Sequence, residues 1–277
     1  MKKSILITGS ATGIGLAGAF HLGQRGWKVL LHARSEARGQ SALDNLRQAN
    51  PEGDYQLVTG DLASLDEVRA LAVQVKRQLP RLDVLWNNAG LMVNERQTSA
   101  DGWELQMAVN HLAPFVLTRE LMPLLLNPGG RVITTSSAAH VAGKIRWNDW
   151  MDEGRKYNPF VTYSKTKLAN ILFTRELAHR YGADGLTAHC FHPGFVRTEF
   201  GKSREGAHKK TFVDYLTFAQ ISPETGCDTG VFLAETDLLP GPNGSYWSTR
   251  KVRRPAGEAS STNAALLWEL SERAIGD

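Results

Sequence analysis

Tyr163 and Lys167, in the run Tyr163-Ser164-Lys165-Thr166-Lys167, stand four residues apart. On a helix that spacing places two side chains one turn above each other on the same face. An ammonium beside a phenol favours the phenolate, so the pair predicts a tyrosine lowered from an ordinary pKa of about 10. Such a tyrosine can trade a proton with an alcohol or carbonyl oxygen near neutral pH. The same spacing is common on plain amphipathic surfaces, so the residues around the pair decide its meaning.

A second group of hydroxyls lies in Thr134-Thr135-Ser136-Ser137-Ala138-Ala139-His140. A hydroxyl just past the carboxyl end of a parallel strand sits where ligands bind in such sheets. Asn110 interrupts an apolar stretch containing Val109, Leu112 and Phe115. A polar side chain there must find partners, either within the core or through a water chain. His21, His32, His111, His140 and His192 show no ligand spacing such as His-Glu-x-x-His, and Ser137 lacks a Gly-x-Ser-x-Gly elbow. Structural roles are the reading for all five, with His140 the one nearest the hydroxyl cluster.

The N-terminus offers a place for a dinucleotide. An apolar run ends in Thr8-Gly9-Ser10-Ala11-Thr12-Gly13-Ile14-Gly15. Glycines at a strand-to-helix junction permit a tight turn, let backbone N–H groups approach a diphosphate, and let the helix pack closely. The helix N-terminus then favours the anion. The second apolar run ends in Arg34-Ser35, where an acidic residue would select NAD. A guanidinium with a neighbouring hydroxyl suits a 2′-phosphate, hence NADP(H), with NAD(H) as the alternative. Arg34 as a solvated strand end is the other reading. Asp61 could meet the adenine amino group, with Leu62 giving backbone contact, or Asp61 and Ser64 could cap the next helix. Asn87-Asn88-Ala89-Gly90 suits a loop whose backbone approaches a ligand, and equally a plain turn.

These residues must be held by regular elements. Mostly apolar runs at Ser4–Thr8, Lys28–Ala33, Gln56–Thr59, Leu82–Trp86, Arg131–Thr135 and Thr187–His192 predict strands buried on both faces. Helices are predicted between them at about 14–25, 35–49, 64–78, 101–126 and 160–181. Sustained alternation predicts a single α/β/α domain around a doubly wound parallel sheet. Two segments break the rhythm: an insertion at 143–159 with Trp147, Trp150 and Tyr157, and a segment at 195–222 carrying Phe195, Phe200, Phe212, Tyr215 and Phe218. Long segments of this kind are functional lids or disordered.

Composition excludes other classes. The chain has 277 residues, 42% hydrophobic and 22% charged, and a formal charge of +4 from 32 basic and 28 acidic residues. The densest basic run, Arg250-Lys251-Val252-Arg253-Arg254, is short and reads as a solvated loop, so no nucleic-acid partner is expected. No stretch approaches the roughly 20 apolar residues of a membrane span. Cys190 and Cys227 show neither metal spacing nor a disulfide framework, and a cytoplasmic protein without a metal is expected.

Taken in order, the glycine turn, Asn87-Asn88-Ala89-Gly90, Asn110, Ser137, Tyr163-x-x-x-Lys167 and His192-Pro193-Gly194 resemble the classical short-chain dehydrogenase/reductase family over about residues 4–200. The phrase VNHLAPFVLT, the long Ser137–Tyr163 span and the tail LLWELSE are similar to its retinol-dehydrogenase-like branch, which also holds the oxidoreductase domain of WW-domain proteins. The resemblance implies a Rossmann-type fold and an NADP(H)-dependent oxidoreductase interconverting an alcohol and a ketone or aldehyde. It makes Tyr163 the general acid/base. Lys167 lowers the tyrosine pKa and binds the nicotinamide ribose, Ser137 holds the substrate oxygen, and Asn110 fixes a water that relays protons from Lys167. It assigns Gly9, Ser10, Thr12, Gly13, Ile14, Gly15, Asn88, Ala89 and Gly90 to the cofactor, and Pro193, Gly194, Val196 and Thr198 to its nicotinamide end. Ser137 is preferred to Ser136 because strand neighbours point to opposite sides and the family places its serine second. The aromatic segments suit a bulky or apolar small-molecule substrate, and a homodimer is compatible with the resemblance. A non-catalytic dinucleotide-binding protein usually lacks the tyrosine or lysine. A sugar-nucleotide epimerase usually needs a larger C-terminal domain than the chain after His192 supplies.

Overall fold

The computed structural model describes residues 2–127, 129–154, 156–195 and 221–276. Six apolar runs form parallel strands: β1 (Ser4–Ile7), β2 (Lys28–Ala33), β3 (Asp54–Thr59), β4 (Val84–Asn87), β5 (Arg131–Thr135) and β6 (Thr187–His192). They are followed by β7 (Tyr246–Ser248) and β8 (Lys251–Arg253) in one sheet of order β3-β2-β1-β4-β5-β6-β7-β8. Only the β7–β8 pair is antiparallel.

Alternation along each strand divides the core into two layers. Leu6, Leu30, Leu85, Val132 and Cys190 pack on one face. Ile5, Ile7, Val29, Leu31, Trp86, Ile133 and Phe191 pack on the other. The second face is covered by α1 (Gly13–Gln24), α2 (Glu36–Ala49) and α7 (Pro223–Glu235). The first is covered by α3 (Leu65–Gln78), α5 (Ala113–Leu125), α6 (Pro159–Tyr181) and α8 (Ser261–Ile275). This is the expected three-layer, doubly wound Rossmann-type arrangement, and the strand order reverses between β1 and β4.

The structure departs from the sequence reading in several places. The helix expected from residue 101 begins at the one-turn α4 (Leu105–Met107). Gly102 turns the chain at φ +85, and the buried Glu104 carboxylate accepts the amides of Gln106 (3.0 Å) and Met107 (2.8 Å). A π-helical turn, Ala108–Leu112, then joins α4 to α5, with Asn110 at its centre. Pro114 lies four residues after Asn110; its ring crowds that carbonyl and it has no N–H to offer it, which accounts for the widened turn. Finally, the basic run is an exposed edge strand rather than a loop. Thr249 and Arg250 both take positive φ (51° and 58°), the requirement of a two-residue hairpin turn, while Arg250 pairs with Asp228.

The insertion at 143–159 is neither a lid nor disordered in its described residues. Met151 is buried, and Ile145, Trp147 and Trp150 pack against the core. Asp152 and Lys165 form a fully buried ion pair at 2.7 Å, with Thr162 Oγ1 donating to the same carboxylate oxygen at 2.7 Å. Lys165 Nζ also donates to the Trp150 carbonyl at 2.6 Å. Tyr157 donates to Glu104 at 3.0 Å and accepts from Gln106. The insertion therefore clamps the start of α6, the helix that carries Tyr163. Removing one member of a buried pair strands the other charge, which costs about 3–5 kcal/mol. Asp152→Ala should lose stability of that order in urea denaturation, and pairing Asp152→Leu with Lys165→Met should recover most of it.

Candidate active site

The crevice opens at the carboxyl ends of β1 and β4, where the strand order reverses. Gly9 and Gly13 both take left-handed backbone (φ +64° and +58°). A Cβ on Gly9 would lie 2.9 Å from Ala89 Cα, and one on Gly15 would lie 2.7 Å from both the Gly9 carbonyl and Asn88 Nδ2. The turn, the start of α1 and the Asn88 loop thus interlock at backbone distance. Thr12 holds the N-cap position in extended backbone without a capping side-chain bond, and the first turn of α1 carries no acid. Those N–H groups, with Ile14 beside them, suit an anion such as a diphosphate.

Thr8 secures this arrangement. Its Oγ1 accepts the amides of Asn88 (2.9 Å) and Ala89 (3.0 Å), while Asn88 Nδ2 donates back to the Thr8 carbonyl (3.0 Å). Ser10 serves the frame as well. Its buried hydroxyl donates to the Ile7 carbonyl and accepts the His32 amide, and its own amide donates to the His32 carbonyl. The side chain of Ser10 is therefore directed into the β1–β2 seam. Arg34 and Ser35 stand exposed at the end of β2, and Ser35 caps α2 by position without a side-chain bond. Asp61 Oδ1 accepts the Ala63 amide at 3.0 Å and Glu67 accepts the Asp61 amide at 2.7 Å, while the cap of α3 falls to Ser64, whose Oγ accepts the Glu67 amide at 3.4 Å. Leu62 is buried in the core.

The chemical end is built on α6. Asn158 caps it by accepting the Val161 amide at 3.1 Å. The two serines after β5 divide their work: Ser136 Oγ donates to the Lys167 carbonyl at 2.8 Å, anchoring the helix, whereas Ser137 hydrogen-bonds the Tyr163 hydroxyl. Lys167 Nζ donates to the Thr135 carbonyl at 3.1 Å and lies 5.5 Å from the Tyr163 ring centroid. A Cβ on Gly90 would come within 3.3 Å of both Lys167 Nζ and Asn110 Oδ1. The loop after β4, the π turn and the lysine therefore meet at one point. Asn110 is committed there: Oδ1 accepts the Leu91 amide (2.8 Å), and Nδ2 donates to the Leu91 carbonyl (2.9 Å) and Thr166 Oγ1 (3.0 Å). Its side chain fastens the loop after β4 to the π turn and to α6 through these three bonds.

The expected lowering of Tyr163 is reversed. Burial pushes its hydroxyl above the ordinary value, and only the Ser137 hydrogen bond pulls it down. The helical spacing does bring the pair to one face, but Nζ lies over the ring, and burial draws the lysine itself down to about 8.

Two histidines brace the Ser137 loop, a role their spacing in sequence conceals. Ala256 N donates to His140 Nε2 (3.2 Å), which leaves His140 Nδ1–H to donate to the Ser137 carbonyl (2.7 Å). His192 Nδ1 accepts the amides of Ala138 (3.2 Å) and Gly194 (3.4 Å). Burial lowers both imidazoles, His192 to about 4, so they remain neutral acceptors. Gly194 takes φ +94°, next to Pro193. Val196 and Thr198, with nearly all of the 195–222 segment, lie outside the described residues. Asn170, which joins Lys167 on the Thr135 carbonyl at 3.1 Å, is a further residue that the sequence reading missed.

Lys167 supplies a titration with a definite sign. Below about 8 it is charged in both folded and unfolded chains. Between that value and its ordinary one, only the unfolded chain keeps the proton, so stability should rise with pH through this window. NMR of ¹³C-labelled lysine should show one resonance titrating near pH 8, absent in Lys167→Met, and the Met variant should lose the alkaline rise.

The chain is similar to known proteins over nearly its whole length. The family model for short chain dehydrogenases matches residues 3–209. The chain is 36% identical to human retinol dehydrogenase 13 (Homo sapiens) over 282 residues, covering 99% of this chain and 85% of that protein. It is 37% identical to retinol dehydrogenase 14 of Mus musculus over 288 residues, covering 99% and 86%. The crystal structure of an uncharacterized protein from Mycobacterium paratuberculosis superimposes with a TM-score of 0.80 at 32% identity, covering 98% of this chain and 92% of that one. Among the described residues no helix is long and apolar enough to cross a membrane. With its reversed strand order, glycine turn and Ser137–Tyr163–Lys167 cluster, this chain belongs to the short-chain dehydrogenase family of nicotinamide-dependent oxidoreductases.

Proposed function

We propose that this protein is an NADP(H)-dependent oxidoreductase that interconverts an alcohol with a ketone or aldehyde, using Tyr163 as the proton donor and acceptor. The observation that carries the reading is the cluster at the carboxyl edge of the sheet: Lys167 Nζ donates to the Thr135 carbonyl at 3.1 Å and lies 5.5 Å from the Tyr163 ring centroid, and Ser137 interacts with the Tyr163 hydroxyl. Two hydroxyls meeting there can share one substrate oxygen, as a developing alkoxide requires. The glycine turn suits a dinucleotide because it delivers the chain to the start of α1, whose first turn has no capping side-chain bond and no acid and so favours a diphosphate. A bound nicotinamide supplies the hydride. The protein orients the substrate and moves the proton. With its hydroxyl protonated, Tyr163 can donate to a carbonyl oxygen during reduction and take the alcohol proton back in the reverse direction.

The exposed Arg34 and Ser35 stand at the end of β2, where an acidic residue would select NAD(H), and support a 2′-phosphate and hence NADP(H), although Glu36 follows them as the first residue of α2. Val141, Phe160 and Phe195 are exposed apolar side chains on the three segments that lead to and from Ser137, Tyr163 and Gly194. They support a bulky or apolar carbonyl compound.

Tyr163→Phe should leave NADPH binding intact and lower kcat by about 10²–10⁴-fold, the usual worth of a positioned proton donor. A screen of aldehydes, ketones and quinones followed by NADPH absorbance supplies the assay, and an unchanged kcat would overturn the assignment. Arg34→Asp should weaken NADPH by at least about tenfold, in keeping with about 1.5–3 kcal/mol for a charge-assisted hydrogen bond, without weakening NADH. Equal effects on both cofactors would make Arg34 an ordinary surface residue.

A further inference from the structure

His32 is buried at the end of β2 and touches neither Ser137 nor Tyr163, yet it spans the crevice floor. Its Nδ1 accepts the amide of Gly9 at 3.0 Å, and its Nε2 pairs with the carbonyl of Gly60 at 2.9 Å. Since a carbonyl can only accept, the proton is on Nε2, and Nδ1 is the lone pair that Gly9 uses. The backbone of the same residue is engaged on both sides, donating to Ser10 Oγ at 2.9 Å and accepting from Ser10 N at 3.0 Å. Gly9 is the residue whose left-handed φ of +64° starts the glycine turn.

We propose that His32 is a positioning residue for cofactor binding: a neutral Nε2–H imidazole that holds the Gly9 amide in the dinucleotide turn and ties that turn to Gly60, at the foot of the Asp61 loop. The proposal rests on the reading of this crevice as a dinucleotide site. With its amide directed at His32, Gly9 turns the chain so that the amides after it, at the start of α1, can face an anion. Gaining a proton on Nδ1 would set two N–H groups against each other and release the turn. Burial opposes that proton, while the Asp61 carboxylate favours it. Glu67 lies one step further off, bonded to the Asp61 amide. The β1 turn presents the uncharged Gly9 and Ser10, and Arg34 stands two residues along the strand at its exposed end.

The test needs no substrate. NADPH and NADH would be titrated by fluorescence against the wild type, His32→Asn, His32→Gln and His32→Ala, with circular dichroism confirming the fold. An asparagine amide oxygen replaces Nδ1 and can accept from Gly9, whereas a glutamine amide reaches only towards Gly60. His32→Asn should therefore stay close to the wild type, while His32→Gln and His32→Ala should bind about tenfold more weakly, the usual effect of stranding one buried donor. Affinity of the wild type should also fall on acidification below pH 6.5, more steeply than that of His32→Asn. Equal binding by the Asn and Gln variants, or wild-type binding by His32→Ala, overturns the proposal. So does ¹⁵N-histidine NMR of the wild type showing His32 as the Nδ1–H form, a measurement that stands even if no variant folds. A wild type that binds neither cofactor would overturn the dinucleotide reading itself, whereas binding that all variants share overturns only the role of His32.

Discussion

The Thr8 hydroxyl accepts two backbone amides, those of Asn88 and Ala89, at the point where the sheet changes direction. Strands that part at a carboxyl edge leave amides with no ladder partner, and buried amides must be paired. Thr8 pairs these two with one oxygen, and Asn88 returns its side-chain amide to the Thr8 carbonyl. The connection then continues across the sheet. Thr135 Oγ1 donates to Asn88 Oδ1 at 3.4 Å and accepts Trp86 Nε1 at 2.9 Å, while the Thr135 carbonyl receives Lys167 and Asn170. One line of hydrogen bonds thus runs from the glycine turn to the lysine. The cofactor end and the chemical end are one construction, and a displacement at Thr8 would be felt at both.

Desolvation sets the electrical character of that construction. Tyr163 is pushed up, and Lys167, His140 and His192 are drawn down, all with burial as the leading cause. Each group is biased towards its neutral form. A medium that disfavours standing charge also magnifies any charge that develops, because interactions are screened less there than in water. An alkoxide forming between Ser137 and Tyr163 would meet oriented donors that need little reorganisation. The clamp on α6 has the opposite composition. Asp152 and Lys165 keep full charges inside the protein, and their role is to hold a helix in one place rather than to titrate.

Much of the scaffold was legible because buried parallel strands are apolar throughout. The runs Lys28–Ala33, Arg131–Thr135 and Thr187–His192 are strands with those very limits. The hairpin of β7 and β8 was missed because its turn, Thr249-Arg250, uses positive φ without glycine or asparagine, the residues that ordinarily announce it. The start of α4 was misplaced because Glu104 reads as one more helical residue until its carboxylate is seen capping. At the site, residue types pointed to the right neighbourhood but not to the bonds each would make. Ser10 sits in the glycine turn and yet faces the β1–β2 seam. Helical spacing put Lys167 beside Tyr163, but it contains no information on burial, and burial decided the direction of both shifts.

The histidines show why sequence spacing fails for one class of functional residue. Local spacing detects groups that share a ligand from neighbouring turns, as metal ligands do. His32, His140 and His192 share no common ligand; each accepts from backbone amides, and the decisive partners are remote in sequence. Gly9 is 23 residues from His32, Ala138 is 54 from His192, and Ala256 is 116 from His140. A neutral imidazole suits such a post because it donates at one nitrogen and accepts at the other, so a buried ring can join two loops that lack side-chain partners. It performs that function only while uncharged. The loops that carry Gly9 and Ser137 are therefore held by groups whose ordinary pKa lies near neutrality, and it is burial, more than bonding, that keeps them in service.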